Sequence, residues 1–227
     1  MKRSLLFPTV LCLIIGLLCG LILPAPWDQR PPAAVPPAAS STVTDQSAVT
    51  QDQTPAFDQK DNRILMSAAY TVLDALKQRN FELLASVTSP EKGLTFTPYS
   101  SVDPETDLNF TPAEIRGFAK DETVYSWGFV DGRGNLIEMT IEEYLLQYVY
   151  NADYSAAKHI GIDQVLISGN ALENVTEAYP GCRFVDFCFP SLDPSMEGMD
   201  WCSLKLVFEP GSDGWQLVGV IHGQWTI

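Results

Sequence analysis

Histidine is almost missing from this chain: His159 and His222 are the two in 227 residues. Positive charge is scarce too, with 14 Lys and Arg against 28 Asp and Glu and a net charge of −14. None of the five cysteines stands in a Cys-x-x-Cys pair. Few imidazoles and no paired thiols argue against a structural zinc site, and no other metal or cofactor is implied. A body this acidic, with no basic stripe, repels nucleic acid and anionic lipid headgroups, so nucleic acid is not an expected partner. Internal repeats are absent as well. No small-residue cleavage site of the Ala-x-Ala kind follows the N-terminal apolar run.

That run is the plainest feature present. Lys2 and Arg3 precede Leu5–Leu23, which is nearly unbroken in its apolarity and about the length a bilayer requires. Basic residues stay on the inner side, so the rest of the chain is expected outside the cell membrane. Residues 1–23 are read as a signal anchor, or as a signal peptide if cleaved. Residues 24–59 mix Pro24, Pro26, Pro31, Pro32, Pro36, Pro37 and Pro55 with Ala, Ser, Thr and Gln, and no apolar period runs through them. Such a stretch reads as a disordered stalk. A single α+β domain is expected over 60–227.

Within it, Ile64, Leu65, Ala68, Ala69, Val72, Leu73 and Leu76 fall on one helical face, with Asp61 suited to cap the start and Asn80 the end. Phe81–Val87 reads as a second helix. Thr111-Pro112-Ala113-Glu114 and Thr140-Ile141-Glu142-Glu143 are capping boxes, each opening a short helix. Between them, Glu122–Val130 and Asn135–Met139 flank Asp131-Gly132-Arg133-Gly134, a hairpin signal. The same stretch fails as a calcium loop, because Arg133 fills a ligand slot. Gln164–Ser168 has the look of a short strand. Arg183–Phe189 alternates Phe184, Asp186 and Cys188 with Val185, Phe187 and Phe189. The chain then ends on two long strands around Pro210, Gly211, Asp213 and Gly214.

Helices first and strands last imply N-terminal helices packed on a curved antiparallel sheet. The long helix Arg63–Arg79, the turn Asn80-Phe81-Glu82-Leu83-Leu84 and the terminal hairpin resemble the nuclear transport factor two-like fold, a cystatin-like, ketosteroid-isomerase-type cone. GLTFTPYSSVDPETDLNFT, YSWGFVDGRGNLIEMTIEEY and DWCSLKLVFEPGSDGWQLVGVIHGQWTI also resemble a family of uncharacterised exported bacterial proteins. The first resemblance implies a pocket at the cone's mouth. It implies no activity, because that fold hosts isomerases, dehydratases and non-catalytic domains.

Asp186, among phenylalanines, with His222 and Tyr70 is the one enzyme-like constellation, a carboxylate base with a group to polarise the substrate. No spacing from the catalytic families matches it, so no catalytic role is assigned. Trp127 and Trp225, with Asp186 and His222, are candidate ligand-binding residues at the mouth. Cys188 and Cys202 flank one loop, and export permits a disulfide between them. The expected function is a non-catalytic extracytoplasmic domain, tethered to the membrane, binding a small molecule or a protein. An isomerase- or cyclase-like enzyme with Asp186 as base is the alternative, and a homodimeric structural module is a further one.

Overall fold

The computed structural model describes residues 59–226; the expected anchor over 1–23, and nearly all of the stalk, lie outside the described residues. Helix α1 (Gln59–Gln78) buries Leu65, Ala69, Val72, Leu73 and Leu76 of the expected stripe; Ala68 is half-buried, and Ile64, read as part of that face, is exposed. Arg79, at φ 53°, closes it. Asn80 caps the next helix rather than this one, its side chain accepting from Leu83 N at 3.0 Å at the head of α2 (Phe81–Val87). Gly93, at φ +70°, then turns the chain, and a Cβ there would stand 2.8 Å from Phe110 O. Strands β1 (Leu94–Thr97) and β2 (Leu108–Phe110) follow.

Both capping boxes form. Thr111 opens α3 (Pro112–Gly117), and Thr140 opens α4 (Ile141–Tyr144), which winds on as a π-helix through Leu145–Val149. The hairpin of β3 (Val124–Phe129) and β4 (Leu136–Thr140) is a separate two-stranded sheet. Strand β5 (His159–Ile162) comes just before the segment expected as a strand. Gln164–Ser168 itself is irregular, because Asp163, at φ 53°, ends the ladder. After a short α5 (Val175–Ala178) come β6 (Arg183–Phe189), β7 (Cys202–Gly211) and β8 (Gly214–Gln224).

The main sheet runs β2-β1-β8-β7-β6-β5. It is mixed rather than antiparallel throughout, because β1 pairs parallel with β8. Helices and mixed curved sheet make an α+β fold. Successive side chains alternate faces. Val185, Phe187, Leu204, Leu206, Phe96 and Val220 face α1 and the main core. The opposite face carries Phe184, Val207, Val218 and Ile221, which pack with Val102 and Val175 in a second core. The chain's own segment from Asp163 to Cys182 covers that face. Tyr179 lies so close over the sheet that a Cβ on Gly219 would meet its hydroxyl at 2.7 Å. Among the described residues, the chain itself thus covers both faces of the main sheet.

Cys188 and Cys202 are free thiols, and the bridge that export would permit is not formed. Cys188 pairs with Ser203, and Cys202 with Phe189, so the register is off by one and the thiols point to opposite faces. Among the described residues no helix is long and apolar enough to cross a membrane.

Candidate functional site

The sheet register separates the enzyme-like constellation. Asp186, Lys205 and Ile221 stand in one row across β6, β7 and β8; Phe187, Leu204 and His222 stand in the next. Asp186 therefore points under the covering segment, whereas His222 points into the main core. Tyr70 lies on α1, 40% exposed and edge-on to Phe187 at 5.6 Å, on the His222 side. The three groups do not share a site.

Each is held differently. Asp186 Oδ2 accepts from Leu166 N at 3.0 Å, and burial raises its pKa. His222 lies edge-on to Tyr148 at 5.8 Å, and its Nε2 meets Gln224 Oε1 at 3.2 Å. Burial lowers its pKa to about 4, so the ring is neutral. It then donates to Gln224 through Nε2, and Nδ1 is left without a hydrogen-bond partner.

Trp127 and Trp225 fall in different hollows. Trp225 borders one of about 250 Å³ with Asn151, Leu192, Met199 and Trp201. Trp127 belongs to a larger cleft of about 570 Å³, set between the loop after β1, the tip of the β3–β4 hairpin and residues 170–172. Trp127 is buried in the hairpin, its Nε1 donating to Met139 O at 2.9 Å. Tyr144 stacks on it at 3.7 Å, and Tyr148 lies 5.2 Å beyond. Tyr99 and His222 both pack edge-on against Tyr148. An aromatic column thus leads from the cleft into the core. Phe129 and Leu172, both well exposed, rim the opening.

The polar lining is acidic. Asp103, Asp107 and Asp131 line the cleft, and no Lys or Arg does. Asp107 accepts from Thr97 Oγ1 at 2.8 Å and from Asp103 N at 2.9 Å, which fixes its carboxylate. Burial raises its pKa, and the neighbouring Asp103 adds to the rise. The Tyr144 hydroxyl is fully buried with no hydrogen-bond partner, and burial and the charge of Asp107 push its pKa well up. It stays a neutral donor. Tyr99 and the exposed Phe129 beside carboxylates suit a cation with an apolar body. Among the described residues no three His, Cys, Asp or Glu side chains are grouped to hold a metal ion.

Sequence reasoning missed Tyr99, Asp107 and Phe129. Asp107 follows the turn Asp103-Pro104-Glu105-Thr106, and its signal was slight: an Asp at a turn is ordinary.

No protein-family model matches the chain, and no curated protein matches it. Among solved structures it is similar to a domain of unknown function with a cystatin-like fold from Nostoc punctiforme, at 12% identity, a TM-score of 0.35, and coverage of 75% of this chain and 80% of that one. It is also similar to a protein of the NTF2-like family from Streptomyces avermitilis, at 18% identity, a TM-score of 0.30, and coverage of 75% and 100%. A conserved protein from Planctomyces limnophilus matches at 9% identity and a TM-score of 0.30, covering 72% and 95%.

Proposed function

We propose that this chain is a non-catalytic extracytoplasmic binding domain whose ligand is a small organic cation, an amine or guanidinium on an apolar body. The cleft of Tyr99, Trp127 and Phe129 with Asp103, Asp107 and Asp131, free of Lys and Arg, carries the reading. Export and tethering are proposed from Leu5–Leu23 and its basic flank. The enzyme alternative loses support because Asp186 and His222 project from opposite sheet faces. The homodimer alternative loses it because the chain covers its own outer face.

Phenethylamine titrated into the protein, followed by calorimetry, tests this. Binding is expected, with 2-phenylethanol, which has the ring but no charge, at least tenfold weaker. Asp107→Asn is expected to weaken the amine about tenfold, or about 1.4 kcal/mol. Affinity should fall as pH drops, and earlier than an ordinary carboxylate would dictate, because the raised pKa neutralises Asp107 sooner. Equal affinity for amine and alcohol, or no effect of the Asp107 change, would sink the cation reading. Binding of neither would sink the cleft.

A further inference from the structure

The hollow of about 250 Å³ beside Trp225 shares no lining residue with the acidic cleft. Asn151, Asp200, Gln224 and Trp225 line it, and no Lys or Arg does. Each polar group there is fixed from behind. Tyr154, fully buried, donates its hydroxyl to Asn151 Oδ1 at 2.8 Å. The neutral His222 ring donates through Nε2 to Gln224 Oε1 at 3.2 Å. Both amides thus have the oxygen engaged and the NH2 group turned away from the buried donor. Among the described residues neither NH2 group donates to the protein. Asp200 accepts from Asp193 N, from Ser191 Oγ at 3.0 Å and from Leu192 N at 3.0 Å, bonds that lower its pKa and keep it an ionised acceptor. Trp225 is 41% exposed, and its backbone N–H donates to Trp201 O at 3.1 Å, which holds it at the rim. Leu192 and Met199, both exposed, complete an apolar edge.

We propose that this hollow binds a neutral sugar ring carrying an acetamido group. An anion would find no counter-charge there. A carboxylate already holding three hydrogen bonds calls for no cation. What fits is a neutral ligand with acceptors for two NH2 groups, a donor for Asp200 and an apolar face for Trp225. A pyranose has that face: its C–H groups pack on an indole while its hydroxyls reach the polar groups around it. The acetamido group supplies the rest. Its carbonyl matches the NH2 groups of Asn151 and Gln224, its N–H matches Asp200, and its methyl matches the edge of Leu192 and Met199. A hollow of this size takes one ring, so further units of a glycan would run out past Trp225 into solvent. The buried His222, separated by the sheet from Asp186, acts here as a neutral donor that sets the Gln224 amide. Nothing in the site depends on the cation reading of the acidic cleft.

Saturation-transfer NMR on the purified full-length protein, with N-acetylglucosamine as the probe, tests this. Transfer to the acetyl methyl protons is expected, with a dissociation constant on the order of millimolar, as suits the contacts of one ring. Glucose, which lacks the acetamido group, should bind about tenfold more weakly. Asn151→Asp still accepts from Tyr154 but has no NH2 group to offer, and should weaken the probe about tenfold. Trp225→Ala should abolish the transfer in a protein whose melting curve is still cooperative. Excess phenethylamine should leave the sugar signal intact, because the two hollows share no residue. No transfer from the wild-type protein overturns the proposal. So does transfer that survives both substitutions, or that phenethylamine displaces, since the sugar then sits elsewhere. Glucose binding as well as the probe overturns the role given to the acetamido group.

Discussion

Acidification from pH 7 to 4.5 is expected to remove about 2 to 3 kcal/mol of unfolding free energy through His222 alone. The group is neutral and fully buried in the fold, with a pKa lowered from 6.5 to about 4. Below 6.5 the unfolded chain takes up a proton at this residue and the folded chain does not. Stability is therefore intact above about 6.5 and declines as pH falls toward 4, where the folded ring begins to protonate. The Gln224 oxygen favours the charged ring, but burial outweighs it. Tyr148 packs T-shaped against the imidazole, and the charge of Lys205, reaching it through the sheet, opposes protonation. Asp107 and Asp186 work in the other sense. Their pKa values are raised, so the folded chain binds the extra proton and they add stability as pH falls through their range. A variant isolates the histidine term. His222→Gln keeps a donor for Gln224 and cannot titrate. Urea unfolding of both proteins at pH 7 and 4.5 should show the variant losing about 2 kcal/mol less than wild type. Equal losses would mean that the imidazole charges without cost, and the buried placement would be wrong.

How much of this was legible in the sequence depended on whether the signal was local. Most of the α1 stripe, both capping boxes and the β3–β4 hairpin are each specified within a few residues and formed as read, Ile64 being the one stripe residue left exposed. Strands β1, β2 and β5 have only three or four residues, too few for alternation to show. The parallel pairing of β1 with β8 joins residues more than a hundred positions apart and leaves no trace in either segment. The site failed for a related reason. Alternation places Asp186 against Val185 and Phe187 correctly within β6, but it cannot say which residues of β8 share its face. That depends on the β7–β8 register, which shifts at Val207/Phe208. A slip of one residue moves every side chain to the other face. Lys205 illustrates the same limit. It alternates with Leu204 and Leu206 on the polar side of β7, yet a remote segment covers that face and buries the lysine completely.

Replacing Arg183 with Met is expected to cost about 3 kcal/mol, the low end for breaking a buried ion pair. Arg183 opens β6, and its side chain is 7% exposed. Nε and Nη2 both donate to Asp163 Oδ2, at 2.9 and 2.7 Å. Nη1 donates to Asp61 Oδ2 at 2.8 Å, and Nη2 to Asn62 Oδ1 at 2.6 Å. The guanidinium also sits 5.8 Å from the centroid of Trp215. One side chain thus joins the first turn of α1, the end of β5, β6 and the start of β8. It also explains Asp61, read from sequence as a helix cap, which instead turns to the arginine. The contributions are unequal. Asp61 is 40% exposed, and water would take over most of its role, so Asp61→Asn should cost under about 1 kcal/mol. Asp163 is the more demanding partner. Its Oδ1 accepts from Phe184 N at 3.0 Å, so it cannot turn away to solvent when the arginine is lost. Met keeps the length and apolar bulk of the stem, so the variant removes charge and hydrogen bonds with little loss of packing. Urea unfolding would give the stability change, and amide exchange over residues 59–65 would show whether α1 loosens at its start. Lower stability with faster exchange there is the expected pair of results. A Met variant within 1 kcal/mol of wild type, with exchange unchanged, would show that the arginine does not fasten α1 to the sheet.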